Sequence, residues 1–237
     1  MISRRLLGGL AMAGLARPAG ATPGLSVFEM AEPSGEPGVA LRVFVYRPAA
    51  WRPADQAIIV LHGQGRDADR YIAQWAPQAE ATGLLVIAPE FSQRKYPGVA
   101  AYNWGNVVTE AGTPNPPEAW IFGAIDRIWA AAREKTGATQ AGYALFGHSA
   151  GAQFVHRYLL LAEASQATTI ITANAGSYTM PDRAIGFPFG LGNTSVTDAM
   201  LARALARLRA SGVADELRVG AELEFYLFDD VRFRVAP

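Results

Sequence analysis

The sequence contains no cysteine, so neither disulfides nor thiolate chemistry can be invoked. It carries no net charge, with 21 basic residues against 21 acidic ones, which gives no footing for a nucleic-acid partner or a polybasic membrane patch. The apolar run at residues 6–16 is too short to span a bilayer. There is no internal repeat, no phosphate-binding glycine loop and no metal-ligand spacing, so no cofactor or metal is expected. Histidine is scarce: only His62, His148 and His156 are present. What remains is 50% hydrophobic and 18% charged over 237 residues, which suits one ordinary globular domain with a substantial core.

Residues 1–21 read as an export signal peptide. Arg4 and Arg5 form a basic start, residues 6–16 an apolar run, and Ala19-Gly20-Ala21 a small-residue cleavage site. Ser3-Arg4-Arg5-Leu6-Leu7 and the later Arg17 fit a twin-arginine route, and an ordinary secretion signal with two arginines is the alternative. The expected location is periplasmic or extracellular, with no stable membrane anchor. Cleavage after Ala21 removes three of the 21 basic residues and none of the 21 acidic ones, leaving a net charge of −3.

The chain is organised around Gly147-His148-Ser149-Ala150-Gly151, a G-x-S-x-G pattern. An apolar run at 141–146 precedes it, as a doubly covered parallel strand requires. After it, Phe154, Val155, Tyr158, Leu159 and Ala162 recur at helical spacing within 150–164. Strand, sharp turn and helix lift a serine oxygen clear of a sheet, and the glycines leave room for the strained backbone. A second chemical stretch, His62-Gly63-Gln64-Gly65, ends the buried strand predicted at 57–61. Glycines there let backbone N–H groups approach an oxyanion. His62 reads as a structural or pocket-lining residue rather than a base.

The remaining chain alternates strands and helices. Strands are predicted at 25–30, 39–47, 84–88 and 168–173. Helices are predicted at 69–82, capped by Asp67 and interrupted near Pro77, and at 118–136. A long loop at 92–117 carries Tyr96, Tyr102 and Trp104, which either line a substrate cleft or cover the sheet edge. This alternation implies an α/β fold with a mostly parallel sheet and helices on both faces. Catalytic groups then belong at the carboxyl ends of the strands, where both glycine motifs fall.

With these two motifs in this order, residues 25–195 resemble an α/β-hydrolase, and more narrowly the secreted esterases of the polyhydroxyalkanoate-depolymerase and feruloyl-esterase-like branch. The resemblance implies Ser149 as nucleophile, with the N–H groups of Ala150 and of Gly63 or Gln64 as the oxyanion hole. Acyl transfer to water through an acyl-serine follows, on a small-molecule or polymeric ester, with His62, Tyr102 and Trp104 lining the substrate. The family order is serine, acid, histidine, and no histidine here lies late enough. His156 is seven residues beyond Ser149 on one helix, roughly 10 Å along its axis, whereas a base must come within roughly 3 Å. The expected activity is therefore impaired, and an exported non-catalytic binding module on the same fold is the alternative.

Residues 208–233 resemble a stretch of glutamine synthetase, whose Glu-x-Glu-Phe motif supplies metal-binding carboxylates. Glu222 and Glu224 would share one side of a strand, but two carboxylates alone make a poor site and no metal is assigned. The predicted organisation is thus an export signal at 1–21, a C-terminally truncated hydrolase domain at 22–200, and a tail at 201–237 of foreign origin. In the alternative, 223–228 replaces a missing sheet strand and Asp229 or Asp230 is the triad acid. An unfinished parallel sheet leaves an unpaired edge, and poor solubility is the expectation.

Overall fold

A computed structural model describes residues 23–163 and 165–210. Six strands form one sheet: β1 (Gly24–Met30), β2 (Leu41–Arg47), β3 (Ala57–Leu61), β4 (Leu85–Glu90), β5 (Tyr143–His148) and β6 (Ala167–Ala173). Their spatial order is β1-β2-β4-β3-β5-β6. β1 with β2 and β2 with β4 are antiparallel, and the other three pairs are parallel. Four helices accompany them: α1 (Ala68–Thr82), α2 (Ala124–Thr136), α3 (Ala150–Leu161) and α4 (Asp198–Ala210).

The period-2 alternation of the strands divides the core between two faces. Ile58 and Val60 of β3, with Phe44, Val86 and Ala88, meet Tyr71, Ile72 and Ala79 of α1. Their neighbours Ile59 and Leu61, with Val43, Val45, Ile87 and Leu145, meet Ile128 and Trp129 of α2 and Phe154 and Tyr158 of α3. All five residues of β3 are buried because both faces are covered. This is the expected α/β fold, mostly parallel and covered by helices on both faces.

Three local expectations change. The helix predicted at 118–136 begins only at Ala124, after a 3₁₀ turn at Pro117–Ala119 and an extended Trp120. Trp120, Ile121 and Phe122 are buried as an irregular run instead. Ile121 N–H donates to the Gly105 carbonyl at 3.0 Å, and Phe122 packs where a side chain on Gly105 would stand, 2.2 Å from its ring. Pro77, expected to interrupt α1, lies inside a continuous helix. It is solvent-exposed, as is Ala73, whose carbonyl loses its intrahelical partner to the proline and can turn to water. Asp67 occupies the cap position of α1 without a side-chain cap bond, its carboxylate pairing with Arg70 at 2.6 Å instead.

The loop after β4 is tightly held. Arg66 donates to the carbonyls of Phe91, Tyr96 (3.1 Å) and Gly98 (2.8 Å). Lys95, buried, donates to the carbonyls of Glu32 (2.9 Å), Glu36 (3.3 Å) and Val39 (2.7 Å). These cations satisfy carbonyls that no sheet ladder reaches. At the other end, α4 runs across residue 200, where the sequence placed a boundary, and Leu201 and Leu205 pack against the main core. β6 has no neighbour on its outer side among the described residues.

Candidate active site

Ser149 lies between β5 and α3 with φ 54° and ψ −113°. A non-glycine residue in such a conformation costs about 1–3 kcal/mol and persists only when its surroundings enforce it. Here they do. Ser149 N–H donates to the Ala173 carbonyl at the end of β6, at 2.9 Å. A side chain on Gly147 would lie 2.3 Å from the Gly151 carbonyl oxygen, and one on Gly151 would lie 2.5 Å from that of Leu61. Both glycines are therefore required by close backbone approach. The serine is half-buried, and its Oγ has no hydrogen-bond partner among the described residues.

Ala150 opens α3, so its N–H is one of those without an acceptor inside the helix. Across from it, the loop after β3 offers less than the sequence implied. Gly63 N–H is occupied by the Tyr71 hydroxyl at 3.1 Å. Gln64 N–H has no acceptor among the described residues, and Gln64 is exposed. Of the two alternatives at this loop, Gln64 is the one with a free donor.

The histidines are accounted for individually. His62 is fully buried, donating from Nδ1 to the Gly63 carbonyl (3.0 Å) and accepting at Nε2 from Phe91 N–H (3.0 Å). Burial lowers it to about 4. It joins the ends of β3 and β4 and, with no exposed surface, is placed as a structural residue rather than a substrate-lining one. His156 does similar work on α3, with Nδ1 to the Ala152 carbonyl (3.1 Å) and Nε2 accepting from Thr179 N–H (2.9 Å). Burial, then Arg157, lowers it to about 3. His148 turns its Nδ1 to the Tyr71 hydroxyl at 2.7 Å. No histidine bonds to Ser149 Oγ.

Tyr102 is also corrected. It is fully buried, stacked on Phe91 and bonded to the His62 carbonyl at 2.8 Å, so it belongs to the core rather than to a cleft. Trp104 is half-buried, with its ring perpendicular to that of Phe187. Glu222, Glu224, Asp229 and Asp230, together with the export signal, lie outside the described residues.

Two features were not singled out from the sequence. Tyr71 reads there only as one more apolar position of α1. Arg157 is fully buried without a carboxylate partner among the described residues, donating to the carbonyls of Asn103 (3.0 Å), Gln153 (2.9 Å) and Pro188 (3.2 Å). Burial lowers it to about 9. Asn103 in turn donates to Gln64 Oε1 at 3.3 Å. Helix α3, the long loop, the glycine loop and the segment after β6 are thereby tied together. No spacing rule signals such a cation.

A strained serine between a parallel strand and a helix, with a glycine loop across from it, is the architecture of the α/β-hydrolases. No protein-family model matches the chain, and no curated protein sequence does. Solved structures match well. Poly(aspartic acid) hydrolase-1 from Sphingomonas sp. KT-1 is 38% identical, with a TM-score of 0.69, over 78% of this chain and 69% of that one. LpqC, a poly(3-hydroxybutyrate) depolymerase from Bordetella parapertussis, is 34% identical with a TM-score of 0.70, over 78% of this chain and 63% of that one. FphF, a fluorophosphonate-binding serine hydrolase from Staphylococcus aureus, shares the fold at 15% identity and a TM-score of 0.51. The chain belongs to the α/β-hydrolase family, and a hydrolytic function is supported in general terms by these relatives. No helix among the described residues is long and apolar enough to cross a membrane.

Proposed function

We propose that the protein is an exported serine hydrolase acting on the ester, or a related acyl bond, of a small molecule or a polymer. Ser149 Oγ attacks the carbonyl, and the N–H groups of Ala150 and Gln64 hold the oxyanion. An acyl-serine forms and water releases it. The polymer substrates come from the relatives, which are named as hydrolases of poly(aspartic acid) and poly(3-hydroxybutyrate). The observation that carries the reading is the conformation of Ser149, at φ 54° and ψ −113° between β5 and α3.

Turnover is weak in this chain. All three histidines are placed, two are buried with both ring nitrogens bonded, and the third is turned to Tyr71. In a subtilisin-type enzyme stripped of its triad, oxyanion hole and binding alone retain about 10³–10⁴-fold over water, so slow acylation persists without a base. The same observation favours a second reading, an exported binding module on the hydrolase fold. Hydrolysis of p-nitrophenyl acetate by the full chain, beside Ser149→Ala, separates the two. A slow release of nitrophenol that the alanine variant loses supports the hydrolase. Equal rates in both folded proteins would leave the binding module.

A further inference from the structure

We infer that the Tyr71 hydroxyl is a further catalytic donor of this site, aimed at the oxyanion that forms on Ser149. The inference rests on the serine-hydrolase reading above. Tyr71 stands in the first turns of α1, 7% exposed, with its ring 6.0 Å from that of His148. Its oxygen accepts from Gly63 N–H at 3.1 Å and lies 2.7 Å from His148 Nδ1. A phenol oxygen has two lone pairs and one proton. Gly63 takes one lone pair. Part of the inference is the His148 tautomer with its proton on Nδ1: His148 then donates to the other lone pair, and the phenol proton is left without a protein acceptor, whereas in the opposite tautomer the phenol would donate to Nδ1.

The space beside it is defined by a missing side chain. A methyl group on Gly63 would stand 3.1 Å from Tyr71 Oη and 3.5 Å from Ser149 Cβ. The hollow over Gly63 is thus bordered by the phenol on one side and by the nucleophile on the other. When Ser149 Oγ adds to a carbonyl, the new C–O bond forms as the carbonyl π pair moves onto oxygen. The serine proton passes to water. The oxyanion so formed is two bonds from Oγ, within the scale of that hollow. Burial raises the Tyr71 phenol above its ordinary range, so it keeps its proton to donate at neutral pH.

The test uses phenylboronic acid, whose trigonal boron adds Ser149 Oγ and releases one proton to buffer, giving a tetrahedral boronate. The full chain is titrated and the tetrahedral signal is followed by boron NMR, with Ser149→Ala as control. Tyr71→Phe should weaken binding by about 100-fold, the lower end of what loss of one oxyanion donor costs in rate. Gly63→Ala, which fills the hollow and leaves the phenol, should abolish it. Thermal unfolding of each variant confirms a folded protein. An unchanged or tighter boronate with Tyr71→Phe would give the role to the freed Gly63 N–H and overturn the inference alone. No tetrahedral signal in wild type beyond that of Ser149→Ala would overturn the serine-nucleophile reading, and this inference with it.

Discussion

Acidification from about pH 7.5 to about pH 5 should remove roughly 4 kcal/mol of folding stability through two histidines. His62 and His156 are held by burial at about 4 and about 3, against an ordinary value of 6.5. Both stay neutral in the folded protein, each donating from Nδ1 and accepting at Nε2. The unfolded chain takes up protons below 6.5 and the folded chain does not. Stability is therefore full above 6.5, falls as pH drops, and levels off only near the folded values. Each pKa unit of separation is worth about 1.4 kcal/mol, so at pH 5 each histidine costs about 2 kcal/mol. Against a typical total of about 5–15 kcal/mol, that is a large loss. Urea unfolding followed by tryptophan fluorescence, at several pH values across the window, measures it. His156→Gln keeps an acceptor for Thr179 N–H but cannot titrate. It should start less stable than wild type and lose about half as much on acidification. Equal losses in wild type and variant would refute the assignment.

Other variants probe what holds the site in place. Gly151→Ala would press a methyl group to 2.5 Å from the Leu61 carbonyl oxygen, and should cost about 1–3 kcal/mol, the usual range for overpacking, measured as a lower urea midpoint. Lys95→Met would remove a donor from the Glu32, Glu36 and Val39 carbonyls, of which Glu36 keeps only the Val39 N–H at 3.4 Å; a loss of about 1–3 kcal/mol is expected, with proteolysis of the loop after β4 as the sensitive readout. Arg127→Gln removes the bidentate partner of Glu32, whose side chain has no solvent exposure. The Glu32 carboxyl is held below 4.5, burial opposing and Arg127 and Ser34 outweighing it. The pair's contribution is thus present above 4.5 and fades as pH falls through the folded value. The variant should be less stable than wild type at neutral pH and approach it in acid.

The sheet and the strand–turn–helix around Ser149 were legible because each is a repeated local pattern. Ile58 to Leu61 needs two covered faces, and Gly147 and Gly151 around Ser149 need a close strand–helix crossing, so neighbouring residues alone announce them. The aromatic loop was not legible. Tyr96, Tyr102 and Trp104 carry no periodicity, and their chemistry suits a cleft as well as a core. What decides between them is Arg66, whose guanidinium lies 4.4 Å from the Tyr102 ring and bonds three carbonyls of the same loop. The late start of α2 was hidden for a similar reason. Apolar residues at 121, 122, 125 and 128 fit a helical face, yet Gly105, distant in sequence, makes the space that draws Phe122 off it. That the Gly63 N–H bonds to Tyr71, eight residues on, was not legible either, because nothing in the spacing brings the α1 side chain back to the glycine loop.

Arg66, Lys95 and Arg157 share a structural logic. Each is a buried cation bonded to carbonyl oxygens, with no carboxylate among the partners described above. Irregular backbone beside a parallel sheet exposes carbonyls that must find donors, and a guanidinium offers five without adding an acceptor that needs satisfying in turn. A buried carboxylate beside each cation would gain attraction at the cost of desolvating a second charge. Carbonyl-bound cations thus fix irregular loops beside the sheet without adding acceptors that need donors of their own.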